Sequence, residues 1–310
     1  MLRLIWHRLL VAVPTLLVLV VLAFVLMRLA PGSPFSSERN LPPAVEENLN
    51  ARYGLADPLG QQLVRYLTNI VQGDFGPSLY YSDHDVADLI REGFPTSLRL
   101  GLAAMILALG AGVSGGIAAA RRPGGMLDHL LMGVAIGGIS IPNFVVAPLL
   151  ILVFAVWLGW LPASGAGPDA TLSASGMVLP VIALALPQFA YVARLTRASM
   201  LEVLDSSYIL AARAKGLPER TILLRHGLRP ALLPVVSYLG PATAAVITGS
   251  VVIEEIFGLP GLGRYFVQAA LNRDYFLVLG VVVFYGLLVV IANLLVDLCY
   301  GLLDPRVQRQ

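Results

Sequence analysis

Read as a succession of apolar and polar positions, the chain divides into six long apolar stretches, over residues 9–27, 98–120, 130–162, 177–193, 231–253 and 275–301. A helix of about 20 mostly apolar residues crosses a hydrocarbon core of about 30 Å. The pattern therefore predicts an all-α integral membrane protein with six transmembrane helices. The third stretch is too long for one straight crossing and is interrupted by Pro142-Asn143 and Pro148. It is read as a single kinked span, because proline removes a helical hydrogen bond and bends the helix where it sits.

Composition points the same way. Of 310 residues, 57% are hydrophobic and only 13% charged, whereas soluble domains carry about 25% charge. A soluble globular enzyme is thereby excluded. The lone Cys299 allows no internal disulfide, and His7, His84, His129 and His226 share no ligand spacing, so no metal site is expected. No G-x-x-x-x-G-K-[ST] string occurs, so the chain carries no ATPase motif of its own. A net charge of +2 without a basic run argues against nucleic acid as a partner.

That small net charge conceals a strong asymmetry. Residues 1–8, 121–129, 194–230 and 302–310 hold 13 basic and 5 acidic side chains, whereas 28–97, 163–176 and 254–274 hold 7 basic and 13 acidic ones. Basic loops stay in the cytoplasm, which places both termini there. Splitting the third stretch into two spans would move the most basic loop outside, so charge parity also favours one span. The first stretch exceeds the 7–15 residues of a signal core, and Arg28-Leu29-Ala30-Pro31-Gly32 offers no A-x-A site. It is read as an uncleaved anchor. The chain then divides into 1–30 (N-terminal segment and first span), 31–97 (extracytoplasmic domain) and 98–310 (five-span core with a cytoplasmic loop at 199–230).

The outer segment opens with Pro31-Gly32-Ser33-Pro34 and Pro42-Pro43, which stop the preceding helix. Short helices are expected over 44–52 and 59–71, the latter with Leu63, Leu67, Ile70 and Val71 apolar, then a turn at Gly73-Asp74-Phe75-Gly76-Pro77-Ser78 and an apolar patch at 86–90. The excess of carboxylates, including Asp83, Asp85, Asp88 and Glu92, fits either a cap on the spans or a docking surface for an external partner. Residues 254–263 read as a compact apolar turn rich in glycine.

In the cytoplasmic loop, Asp205 or Ser206 is a candidate N-cap, 208–215 a short helix and Gly216 its stop. Pro218 suits the first turn of a second helix, with Glu219 at its positive end. Tyr208, Ala211, Ala212 and Lys215 share one helical face. A basic loop follows from the inside rule alone; the order of its residues says more. Ala211, Ala212, Gly216 and Leu228 fall in register with Glu-Ala-Ala-x-x-x-Gly and a downstream Ile-x-Leu-Pro, with Leu210 and His226 replacing the glutamate and isoleucine and Pro230 one residue late. This resembles the cytoplasmic signature of binding-protein-dependent ABC importers.

The string Ala212-Arg213-Ala214-Lys215-Gly216-Leu217-Pro218 is similar to the peptide-transporting branch. So are Arg28-Leu29-Ala30-Pro31-Gly32-Ser33-Pro34, the 73–78 turn, Phe257-Gly258-Leu259-Pro260-Gly261 and Asp304-Pro305-Arg306. Ile141-Pro142-Asn143-Phe144-Val145-Val146-Ala147-Pro148 and Ala270-Leu271-Asn272-Arg273-Asp274-Tyr275 narrow the resemblance to the first membrane subunit of oligopeptide permeases.

That resemblance implies a type I ABC importer permease fold in the bacterial inner membrane. It implies a second homologous permease subunit, two ATP-binding subunits that hold ATP and magnesium, an extracytoplasmic peptide-binding protein and an oligopeptide substrate. This chain itself would be non-catalytic and bind no cofactor. Tyr208, Ala211, Ala212, Arg213, Lys215, Gly216, Leu217 and Pro218 would couple to the ATPase. The translocation path would draw on the uncharged polar residues within the spans, Asn143, Gln188, Ser237, Tyr238, Thr243, Thr248 and Asn293, which can equally serve helix-to-helix hydrogen bonding. A secondary transporter would need ionisable groups deep in the spans, and only Arg99 and Asp297 lie within them, near their ends. A channel would conduct without ATPase partners, and a membrane enzyme would need a nucleophile or metal constellation that the sequence does not show.

Overall fold

The computed structural model describes residues 2–29, 43–81, 83–165 and 173–303. The 28–34 string beyond Leu29 and the Asp304-Pro305-Arg306 string lie outside the described residues. The described chain is helical: α1 (Leu2–Leu29), α2 (Pro43–Arg52), α3 (Leu59–Val71), α4 (Val86–Arg121), α5 (Met126–Ser140), α6 (Asn143–Leu150), α7 (Val178–Leu204), α8 (Ser207–Ala214), α9 (Glu219–Thr221), α10 (Leu228–Ala231), α11 (Leu233–Ile256), α12 (Leu262–Leu271) and α13 (Tyr275–Leu303). Two π-helical stretches, Ile151–Trp157 and Ile222–Gly227, follow α6 and α9.

Among the described residues, α1, α4, α7, α11 and α13 are each long and apolar enough to cross a membrane. The pair α5 and α6, with the π-helical continuation of α6, makes a sixth candidate, a broken span or re-entrant loop bent by 111° at the break. This is a break rather than the kink expected from the sequence. Ile141 leaves helical backbone, with ψ of 121°, because a residue before proline is pushed out of the α region, and Pro142 follows with ψ of 144° as the extended N-cap of α6. The Pro142 carbonyl then accepts the Val145 and Val146 N–H groups and restarts the helix.

The chain forms two compact units. One comprises Arg3–Thr96 with Pro260–Val290. Its core is built from Val86, Leu89 and Ile90 of α4, Leu262 and Ala269 of α12, and Leu277, Val278 and Val281 of α13. The 86–90 patch is therefore not a separate element: it is the buried first turn of a helix that runs on into the second span. On α3, Leu63, Leu67 and Ile70 pack inward as expected. Val71 does not, being 88% exposed, because one further residue turns the side chain about 100° round the helix. The 73–78 turn is present, with Gly73 and Gly76 at φ of 81° and 83°, and Asp74 accepts the Gly76 N–H at 2.8 Å. Asp274, fully buried, accepts from the Ser78 hydroxyl at 2.5 Å, from the Leu79 and Tyr80 N–H groups at 2.9 and 3.1 Å, and from the Leu277 N–H at 3.1 Å.

The other unit contains Ser97–Leu259 and the chain from Ile291 onward. Its largest cluster joins Leu100, Ala104 and Ala108 of α4, Ala147 of α6, Leu179, Ala183 and Leu184 of α7, and Val246 and Ile253 of α11. Small residues let helices approach closely where no hydrophobic drive exists between them. A Cβ at Gly112 would lie 2.7 Å from Val192, and one at Gly116 would lie 2.6 Å from Thr196 and 2.7 Å from the Ala193 carbonyl oxygen. The α4–α7 seam is thus closed to any larger residue at these two positions.

Candidate coupling segment and in-span polar residues

After α7 ends at Leu204, Ser206 adopts extended backbone and α8 begins. Ser206 holds the N-cap place expected of it but does not cap with its side chain, since its hydroxyl donates back to the Val203 carbonyl at 2.5 Å. Ile209 anchors α8. It is fully buried among Met200, Leu204, Ile222, Leu223 and Ala231, so α8 is pinned to the end of α7 and to the residues that lead into α11.

The helix stops at Gly216, whose φ is 76°. The Gly216 N–H donates to the Arg213 carbonyl at 2.9 Å and the Leu217 N–H to the Ala212 carbonyl at 3.3 Å, the paired bonds of a Schellman stop. Pro218 sits just before α9 rather than within its first turn. Across this turn Arg213 pairs with Glu219 at 3.0 Å, and the Tyr208 hydroxyl donates to the His226 carbonyl at 3.4 Å.

Of the eight residues that the sequence singles out here, Tyr208, Ala211, Arg213, Lys215, Gly216, Leu217 and Pro218 are exposed, and Ala212 is partly buried against the Ile209 cluster. Leu210, at 56% exposure, joins the outward surface. The segment presents an apolar ridge with Arg213, Lys215 and Arg220 around it, on a helix held from behind by one isoleucine.

The structure also contains a lock that the sequence pattern does not announce. Arg197 of α7 grips buried Asp128 of α5 through two bonds of 2.6 and 2.7 Å, and Asp128 accepts the Gly124 N–H at 2.9 Å. A paired, bidentate contact of this kind fixes geometry as well as neutralising buried charge. It ties α5 to α7 about two turns before α7 delivers the chain to α8. Opposite charges near the cytoplasmic ends of two spans were the available sign of it.

The in-span polar residues separate into groups. Gln188 of α7 and Tyr238 of α11 meet, the phenol donating to the amide oxygen at 2.8 Å. Tyr191 stacks on Tyr238 with centroids 5.4 Å apart, and Arg194 lies over the Tyr191 ring at 5.4 Å. Asn143 approaches α11 at Gly249, and Asn293 of α13 approaches it at Gly240. Ser237, Thr243 and Thr248 satisfy their hydroxyls on their own helix, at the Leu233, Leu239 and Ala244 carbonyls. Ser237 and Thr248 are nevertheless exposed, on a stripe of α11 that also carries Pro241 and Ala245.

Comparison with known proteins accords with this geometry. Residues 112–309 match the family described as binding-protein-dependent transport system inner membrane component, and residues 1–101 match its N-terminal counterpart. The chain is 51% identical over 308 residues to the oligopeptide transport system permease protein OppB of Escherichia coli K12, covering 99% of this chain and 100% of that protein. It is 48% identical over 294 residues to the dipeptide transport system permease protein DppB of Bacillus subtilis, covering 95% and 94% of the two chains. Among solved structures, the inward-facing MetNI methionine ABC transporter aligns with a TM-score of 0.55 at 19% identity, over 70% of this chain and 96% of that one, a likeness of fold. The chain therefore belongs to the binding-protein-dependent transport system inner membrane components, as a multi-pass permease subunit.

Proposed function

We infer that this permease carries oligopeptides inward, moved by two cytoplasmic ATPases that bind ATP and magnesium, with a second homologous permease subunit and an external peptide-binding protein. The cargo follows from relatives at 51% and 48% identity named for oligopeptide and dipeptide transport. The observation that carries the mechanism is α8, an exposed ridge clamped by Ile209 to α7 and the approach to α11. A helix so held transmits displacement into two spans at once. Closure of the ATPases on ATP would draw this helix toward its counterpart, tilt α7 and α11 and exchange inward for outward access. Tyr208, Ala211, Ala212, Arg213, Lys215, Gly216, Leu217 and Pro218 form the seat. The exposed polar stripe of α11, with Gln188, Tyr238, Asn143, Thr243 and Asn293 near it in sequence or contact, supplies uncharged donors and acceptors suited to a peptide backbone.

Gly216 tests the seat directly, because a Cβ there meets nothing within 4 Å among the described residues. Gly216→Ala bears only the left-handed backbone cost of about 1–2 kcal/mol. Gly216→Trp adds bulk where only a partner can feel it. The expected result is normal membrane abundance for both, with peptide uptake reduced about tenfold or more by Gly216→Trp while ATP hydrolysis by the assembled transporter continues. Normal uptake by Gly216→Trp would remove α8 from the coupling role.

A further inference from the structure

The unit built from Arg3–Thr96 and Pro260–Val290 contains a cleft of about 750 Å³, open to solvent on one side and within the range of small-molecule sites. Part of its lining is apolar, from Phe24 and Met27 of α1, Leu55, Phe75, and Phe276 and Leu279 of α13, and part is charged and polar. The charges are sorted by element. Arg52 and Arg65 come from α2 and α3, whereas Asp74, Asp83, Asp85 and Asp88 come from the segment between α3 and α4 and the first turn of α4.

Several of these groups are already engaged. Arg65 pairs with Asp57 at 2.5 Å and Asp88 with Arg91 at 3.1 Å. Arg28, also in the lining, donates to buried Gln62 and lies 4.6 Å from the Tyr275 ring centroid. Gln62 is held in turn by the Leu55 and Asp57 carbonyls at 2.9 and 2.6 Å. Arg52, Asp83 and Asp85 make no ion pair among the described residues, and all three are exposed.

An independent observation comes from Tyr66. Its side chain lines the same cleft and is 4% exposed, yet its hydroxyl has no hydrogen-bond partner among the described residues. Burial pushes the phenol pKa upward, so the group stays a neutral donor and acceptor. Buried polar groups are almost always satisfied, and an exception calls for a reason.

We propose that this cleft binds a small zwitterion, a short peptide with free termini, its carboxylate toward Arg52, its ammonium toward Asp83 and Asp85, and a backbone group toward the Tyr66 hydroxyl. The choice of a peptide rests on the oligopeptide reading; the zwitterionic chemistry rests on the lining alone. A phosphoethanolamine headgroup presents the same pair of charges, and the experiment separates the two.

The full-length chain in nanodiscs of phosphatidylglycerol, which offers no ammonium, is titrated calorimetrically with trialanine, with N-acetyl-trialanine amide and with phosphoethanolamine. Trialanine binds, and blocking both termini weakens it about tenfold. Arg52→Gln and Asp85→Asn each weaken trialanine about fivefold while leaving the blocked peptide unchanged, and Tyr66→Phe weakens both peptides about threefold. Arg52 and Asp85 are exposed and make no ion pair among the described residues, so their variants fold as the parent does, which circular dichroism and gel filtration verify. Equal affinity for blocked and free trialanine, no binding of trialanine, or no effect of Arg52→Gln and Asp85→Asn overturns the site. Tighter binding of phosphoethanolamine than of trialanine assigns the cleft to a lipid headgroup and overturns the peptide. Uptake of labelled trialanine by the complete transporter is measured in parallel. Uptake without binding removes this site and leaves the importer, whereas binding without ATP-driven uptake leaves the site and removes the importer.

Discussion

The outward faces of α1 and α11 differ more than their hydropathy does. Both helices are long and apolar enough to cross a membrane. The exposed positions of α1 include Leu10, Val13, Leu17, Val18, Leu22 and Leu26. Those of α11 recur every three or four residues as Pro234, Ser237, Pro241, Ala245, Thr248, Val252 and Glu255, with Val252 the one large aliphatic among them. Large aliphatic groups are as stable against lipid tails as against protein, whereas small and hydroxylated residues allow another helix to approach or leave room for a polar path. A hydropathy sum treats the two helices alike. Exposure separates a face suited to lipid from one suited to a partner or a solute.

The sharpest way to break that contrast is to put bulk on each face. Ala245→Trp on α11 is expected to cost about 1–3 kcal/mol at a closely approached surface and to lower peptide uptake about tenfold or more at unchanged membrane abundance. Leu17→Trp on α1 should leave uptake unaltered in the same transport assay; an equal loss from both would erase the distinction. A middle-sized effect belongs to the inward face of α11. Tyr238→Phe leaves the buried Gln188 amide oxygen without its phenol donor, so thermal unfolding in detergent should show a loss of about 1–3 kcal/mol. The smallest is Leu22→Val on α1, within about 0.5 kcal/mol by the same melt.

Features that depend on neighbours in sequence were the legible ones. The six apolar stretches, the Gly216 stop, the 73–78 turn and the helices over 44–52 and 59–71 follow from periodicity and from residues that only certain backbone angles admit. The break at Ile141-Pro142 was legible as to place but not as to angle, because proline fixes the local backbone whereas packing sets the direction of the second arm. Features that join distant residues were not legible. Asp274 meets Ser78 across 196 positions, and Asp128 meets Arg197 across 69. Nothing local at 86–90 marks it as the start of α4, since its apolar partners lie on α12 and α13. The in-span candidates divided for the same reason: Gln188 and Tyr238 found each other, whereas Ser237, Thr243 and Thr248 turned to their own helix.

The buried carboxylate of Asp274 also sets an order of events during synthesis. The 77–86 segment, with α3 before it, leaves the ribosome early, yet its buried partners are Leu262, Leu277, Val278 and the Asp274 side chain itself. Until those residues emerge, the Leu79 and Tyr80 amides have only water for company. This unit is completed by the last helix of the chain, so a ribosome stalled before α12 would hold a polypeptide whose early spans can already be inserted and whose Val86, Leu89 and Ile90 still lack Leu262, Ala269 and Leu277.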